Sequence, residues 1–370
     1  MIKIKKFCET YILNIIKSWL IYKAPGLFSI LEIKPSSSTI IITCRCNLKC
    51  IMCKQWMEVP REELSTDDWK RIIADLKENG INSVHFTGGE PLLRKDLAEL
   101  ISYSFQKGFV VGLTTNGAFL SKKILSDLIG RGLRSIAISI DALNGEYEKI
   151  RGVANSFKHI ESSAILIAEK RREFKIDAYI NFTLMKDNIK ELKNVKSFAD
   201  KIKLPLAICL LDKNSFLFDL EQNRSKFWIS AKEDFDALRE ALIFLRQEKI
   251  KNPKSLIINF PAIDFIEDYF RNPRQKQIPC ISSQDRIIID AYGNLLGGCM
   301  SMGSFGNIKQ KKLRELTMDK QYKLAKRNMF YKNCSGCSCG YLFNIRLYQP
   351  RIINNFFQRL KLSWLRNKDG

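Results

Sequence analysis

Between Ser36 and Asp212 six short, β-branched apolar runs alternate with five longer amphipathic stretches. A period-2 or continuous apolar run that gives way to helical periodicity, over and over, restricts the chain to parallel strands covered by helices. The runs predict strands at 39–43, 83–87, 109–115, 135–140, 177–184 and 205–211. Helices are predicted between them, at 66–79, 95–107, 120–131, 155–172 and 188–202. Ser65-Thr66-Asp67-Asp68 is a helix start and Asn79-Gly80 a stop. In such α/β architectures functional residues gather where the strands end at their C-termini.

The loop after the first strand carries Cys46, Cys50 and Cys53 in a Cys-x3-Cys-x2-Cys spacing. Three thiolates from one loop suit three irons of a cubane cluster and leave its fourth iron open, whereas most iron–sulfur clusters take four cysteines. A zinc knuckle or a set of reduced structural thiols is the competing reading. Zinc favours four ligands in paired units, which this spacing supplies only if Cys44 joins. Gly88-Gly89-Glu90-Pro91 closes the second strand, and paired glycines let backbone approach a ligand closely. Ser139 ends the fourth strand, with Arg151-Gly152 in the loop beyond it. Thr115-Asn116-Gly117 reads as a turn, and His85 and His159 as packed or exposed side chains without a role.

These motifs, in this order, resemble the radical S-adenosylmethionine (SAM) superfamily over roughly residues 38–212. The resemblance implies a partial (β/α)6 TIM-type barrel. It also implies a [4Fe–4S] cluster on Cys46, Cys50 and Cys53, and SAM held by Gly88, Gly89, Glu90, Ser139 and Arg151. Met52 stands before the third cysteine, where the family usually has an aromatic residue; a flexible thioether is expected to cover the adenine instead. The activity implied is reductive cleavage of SAM to a 5′-deoxyadenosyl radical that takes hydrogen from a substrate, with a reductant such as flavodoxin or ferredoxin as partner.

Further on, Cys280, Cys299, Cys334 and Cys337 form a second constellation around an expected hairpin, Arg286 to Cys299, with a turn at Gly293-Asn294. This is similar to the twitch domain, a shortened relative of the SPASM domain, and implies a small C-terminal cysteine-rich α+β domain with one auxiliary [4Fe–4S] cluster. Cys339 is an alternative to Cys337, and a four-cysteine zinc ribbon is the alternative to iron. The chain therefore divides into a basic amphipathic arm (1–37), a radical SAM core (38–212), a helical linker (213–275) containing one helix at 231–250, the auxiliary-cluster domain (276–340) and a basic aromatic tail (341–370).

The 370 residues carry a net charge of +22 and 11 cysteines, most of them in tight clusters that point to metal rather than disulfides in a reducing cytoplasm. The charge admits nucleic acid, an anionic membrane or an acidic substrate as partners, against Lys-rich solvated faces of no consequence. The arm is too interrupted to span a membrane, which leaves a helix in the interface or one packed beneath the barrel. The leading expectation is a cytoplasmic enzyme, peripheral to the inner membrane face, acting on a small metabolite, sugar or lipid-linked substrate. A peptide maturase of the SPASM type is the chemical alternative. An RNA-associated iron–sulfur protein is the alternative of another class, and no recognised RNA-binding motif supports it.

Overall fold

The computed structural model describes residues 2–59, 61–211, 224–274 and 279–331. Eight parallel strands form one sheet in the order β7-β6-β5-β4-β3-β2-β1-β8. The first six are β1 (Ser37–Thr43), β2 (Ser83–Gly88), β3 (Val110–Thr115), β4 (Leu133–Ser139), β5 (Asp177–Leu184) and β6 (Leu206–Leu210). All six agree with the sequence expectation to within two residues at each end. From β1 to β7 consecutive strands are neighbours, as expected of strands joined by helical crossovers.

The helices begin with α1 (Ile2–Lys23), α2 (Thr66–Glu78), α3 (Leu97–Gln106), α4 (Lys122–Gly130), α5 (Asn144–Arg151), α6 (Phe157–Phe174) and α7 (Leu192–Ile202). Helix α2 starts on a capping box: the Ser65 hydroxyl accepts from the Asp68 amide, and the Asp68 carboxylate accepts from the Ser65 amide. Beyond the sixth strand come α8 (Arg224–Phe227), α9 (Lys232–Lys251), β7 (Leu256–Ile257), α10 (Phe260–Arg271) and α11 (Ser282–Asp285). Then follow β8 (Arg286–Ile289), α12 (Leu313–Met318) and α13 (Lys320–Phe330).

Strand β5 shows how the sheet sorts its side chains. Ala178, Ile180, Phe182 and Leu184 are buried, while Tyr179, Asn181 and Thr183 alternate with them on the other face. That second face is polar on neighbouring strands too. His85 Nε2 lies 2.7 Å from Thr114 Oγ1, and Cys209 Sγ lies 3.9 Å from Asn181 Oδ1. Burial, with Arg286 nearby, pushes His85 down to about 4, so the imidazole is neutral at ordinary pH.

Two strands extend the sheet past the six expected. Short β7 pairs with β6 at one edge, and β8, which the sequence reads as one arm of a hairpin, pairs in parallel with β1 at the other. The hairpin itself forms, with Ile289 bridged to Leu295 in antiparallel fashion.

Of the two placements expected for the N-terminal arm, the packed one describes α1 from Asn14 onward. Asn14, Ser18 and Ile21 are buried, and Asn14 Nδ2 donates to Asp285 Oδ1 (2.5 Å) and to the Lys34 carbonyl (2.8 Å). Among the described residues no helix is long and apolar enough to cross a membrane. The basic aromatic tail lies outside the described residues.

Candidate metal and cofactor site

Strand β1 delivers the cysteine loop, and two braces hold that loop. On one side Glu63 accepts from Thr43 Oγ1 (2.7 Å) and from the Cys44 amide (2.7 Å) and pairs with Arg94 (3.8 Å). Arg94 is itself buried, donating to the Ile42 and Leu64 carbonyls and pairing with Asp96 at 2.6 Å. On the other side lies the C-terminus of α5. The amides of Lys49 and Ile51 donate to the carbonyls of Arg151 and Ile150, at 3.0 and 2.9 Å.

Within this frame Cys46, Cys50 and Cys53 share one neighbourhood. The Leu48 amide donates to Cys46 Sγ (3.5 Å) and Arg151 Nη1 to Cys50 Sγ (3.6 Å). Burial pushes Cys46 up to about 11 and Cys53 up to about 12, the Cys50 sulfur adding to both shifts and the Cys46 sulfur to that of Cys53. Thiols so buried ionise when a cation is there to take the thiolate. Each thiolate of such a loop can take a different iron of a cubane. The donor set, three soft thiols braced on one loop, fits the cluster.

The Gly88-Gly89-Glu90 segment runs against this loop. The amides of Gly89 and Glu90 donate to the Thr43 and Arg45 carbonyls, both at 2.8 Å. A Cβ on Gly88 would stand 2.3 Å from the Thr43 oxygen, and one on Gly89 2.2 Å from the Arg45 oxygen. The close approach these glycines permit is therefore to the chain's own cysteine loop. Glu90 is fully buried and accepts from Thr115 Oγ1 (2.7 Å), the Asn116 amide (2.7 Å) and the Leu92 amide (3.0 Å). Burial raises its pKa against the pull of those three donors. Asn116, one residue past β3, also reaches Asn47 in the cysteine loop at 2.9 Å, so the Thr115–Gly117 turn is tied to the site.

Arg151 is buried, with Nη2 2.6 Å from Asp141 Oδ2. Burial works against the guanidinium charge, but Asp141 and the Cys50 sulfur outweigh it and keep Arg151 protonated. Its Nε is buried with no hydrogen-bond partner. Ser139 is half-buried at the end of β4, two residues from Asp141. Met52 is buried in the main core.

Two residues of the second constellation are described. Gly298, beside Cys299, lies against the Ser282 and Ser283 carbonyls, just past Cys280; a Cβ there would come within 2.6 Å of both. The Cys280 amide donates to the Phe330 carbonyl (3.2 Å), and Cys299 packs with Met329. Both cysteines thus meet the end of α13, four residues before Cys334. Cys334, Cys337 and Cys339 lie outside the described residues.

Sequence reasoning did not single out Glu63, Arg94 or Asp141. Their part depends on contacts across the fold that no spacing encodes. Only the departure of buried charge from the ordinary pattern could have hinted at them, and burial is itself a product of the fold.

A family model described as the radical SAM superfamily matches residues 40–199. The chain is similar to the PqqA peptide cyclase of Bradyrhizobium diazoefficiens, 32% identical over 164 residues that make up 44% of this chain and 42% of the relative. It is equally similar to the Fe-coproporphyrin III synthase of Methanosarcina barkeri, 32% identical over 166 residues, 44% of this chain and 41% of that one. The chain thus matches less than half the length of these curated relatives. Among solved structures, Streptococcus suis SuiB bound to its precursor peptide SuiA superposes with a TM-score of 0.64 at 17% identity, covering 82% of this chain and 68% of that one.

Proposed function

We propose that the chain, which matches the radical SAM superfamily over residues 40–199, cleaves SAM reductively and uses the resulting radical to modify a peptide. The observation that carries the SAM chemistry is the braced loop: Cys46, Cys50 and Cys53 on β1's extension, with Glu90 and the two glycines laid along it. When bound, the [4Fe–4S] cluster and SAM supply the electron transfer and the 5′-deoxyadenosyl radical.

The chain's own residues do the positioning in this reading. Cys46, Cys50 and Cys53 hold the cluster, and Gly88, Gly89 and Glu90 shape the floor beside it. Ser139 and the unpartnered Nε of Arg151 supply donors for the polar end of SAM. Arg151 Nη1, donating to Cys50 Sγ, stabilises negative charge on that sulfur. Cys280 and Cys299, with Cys334 and Cys337 beyond them, hold one auxiliary cluster.

The peptide substrate rests on the relatives: a peptide cyclase among the curated proteins and a precursor-peptide complex among the structures. That displaces the small metabolite, sugar or lipid-linked substrate favoured from the sequence. A small-molecule substrate is retained as the second reading because a synthase of an iron porphyrin matches equally well. The polar face carrying His85, Thr114, Tyr179 and Asn181 suits an uncharged hydrogen-bonding group of either substrate.

The test is anaerobic incubation of the reduced, cluster-loaded protein with SAM, with and without peptides encoded beside its gene. 5′-Deoxyadenosine together with a mass change on a peptide is the expected result. Formation of 5′-deoxyadenosine with no peptide modified points to the small-molecule reading, and none under any condition overturns the SAM chemistry.

A further inference from the structure

Tyr147 and Arg151 stand four residues apart on α5, one turn apart on the same face of the helix. The guanidinium carbon of Arg151 lies 5.7 Å from the centre of the Tyr147 ring, and the same guanidinium donates to Cys50 Sγ. The ring also meets that of Phe157, 5.4 Å between centroids, and Tyr147 has no exposed surface. The end of α5 is fixed in turn, because its Ile150 and Arg151 carbonyls accept from the cysteine loop.

The Tyr147 hydroxyl is buried without a hydrogen-bond partner. A phenylalanine would fill the same space without desolvating that oxygen, so the hydroxyl only costs stability until something accepts from it. Burial raises the phenol above its ordinary range, against the pull of Arg151 and with the charges of Cys50, Asp141 and Glu90 adding to the shift. Three of the groups that act on it thus belong to the site already described. Neither carboxylate is short of a donor. The Glu90 oxygens accept from Thr115, Asn116 and Leu92, and those of Asp141 are held by Thr183 and Arg151. The remaining acceptor in this group is sulfur, that of Cys50 and of what Cys50 ligates.

We infer that the Tyr147 hydroxyl donates to a sulfur of the [4Fe–4S] cluster, on its Cys50 side, and so raises the reduction potential of that cluster. This rests on the function proposed above, in which Cys46, Cys50 and Cys53 hold the cluster. Adding an electron makes the cluster sulfurs more negative, so a hydrogen bond to them favours the reduced form. Arg151 Nη1 acts on Cys50 in the same sense. Tyr147 is a positioning residue here: it touches no reacting atom and acts through the cluster alone.

The experiment compares the cluster-loaded full chain with Tyr147→Phe, which keeps the ring and removes one oxygen. The readout is an EPR-monitored redox titration without SAM, the relevant signal being the one that later addition of SAM perturbs. At a fixed solution potential the reduced-to-oxidised ratio is expected to fall about tenfold, a drop of about 59 mV for one electron. Site-specific 3-fluorotyrosine in place of Tyr147, a stronger donor, is expected to shift the potential upward, and it reports even where the phenylalanine variant loses its cluster. Without the cluster, Tyr147→Phe is expected to unfold at an equal or higher urea midpoint, since it removes an unsatisfied buried group. An unmoved potential overturns the inference: with weakened SAM binding the hydroxyl serves SAM, and with SAM binding intact it only packs. A lower urea midpoint of the cluster-free variant overturns it too, because the hydroxyl then has a partner within the protein. A chain that takes up no cluster on Cys46, Cys50 and Cys53 overturns the proposed function, and this inference with it.

Discussion

Arg151 and Asp141 form a buried ion pair, 2.6 Å between Nη2 and Oδ2, and the same guanidinium donates to the sulfur of Cys50. Asp141 is in turn fixed by the Thr183 amide at 2.7 Å. One charge pair therefore couples the ends of β4 and β5 to the cysteine loop. Asp141→Asn leaves the arginine without its partner in a buried place. The expected loss is about 3–5 kcal/mol of unfolding free energy, read by denaturant titration. The cluster's reduction potential should rise as well, because Arg151 is then free to give its full charge to Cys50.

Gly89→Ala puts a methyl group 2.2 Å from the Arg45 oxygen, a backbone atom that cannot swing away. The expected cost is about 1–3 kcal/mol of overpacking, concentrated on the loop that holds the cluster. Iron retained per chain after desalting should fall. Gly145→Ala, where a Cβ meets nothing within 4 Å, is the control and should keep its iron.

Glu63 holds the strand end ahead of Cys46 through two hydrogen bonds to one carboxylate. Glu63→Ala should lower stability by about 1.5–3 kcal/mol, since both donors lose a charged acceptor. Glu63→Gln keeps an acceptor and should recover much of the iron loading. Equal loading in both variants would mean the brace does not act on the loop.

Asp285 joins Asn14 of α1 to Ser36 ahead of β1, accepting from both side chains. Burial pushes its pKa up to about 6, against the pull of those two hydrogen bonds. The folded state thus binds a proton more tightly than the unfolded chain. The stability this contributes is present at low pH and is lost as pH rises from about 4 through about 6. The slope integrates to something on the order of 3 kcal/mol. Asp285→Asn should flatten it, as measured by urea midpoints across that range.

Cys280→Ala and Cys299→Ala should each remove about half of the iron in a fully loaded chain, if one cluster sits on the barrel loop and one on this segment. Substituting Cys46, Cys50 and Cys53 together should remove the other half. Iron content unchanged by Cys280→Ala and Cys299→Ala would return the second constellation to a structural role.

The six barrel strands were legible because each is a β-branched run whose pattern is local, and α2 because Ser65 and Asp68 write its cap into the sequence. Helix α5 was not. Its first residue, Asn144, takes a positive φ of 51°, an unusual start for a helix of eight residues. The pairing of β8 with β1 was also hidden, because Ser37 and Arg286 are brought together by the fold and no window of sequence contains both. For the site, spacing singled out the cysteines and the Gly-Gly-Glu segment, which the fold lays side by side. It did not reveal that the glycines face Thr43 and Arg45, nor that Arg151 is shared between Asp141 and Cys50.

The parallel ladder from Ser37↔Arg286 to Ile40↔Ile289 has a further effect. It joins the strand that feeds the first cysteine loop to the strand lying between Cys280 and Cys299. Two redox centres on a flexible linker would wander, and the rate of any hop between them would vary with each excursion. With the two clusters placed as proposed above, the gap between them would be set by a hydrogen-bonded register and would behave as a fixed wire length.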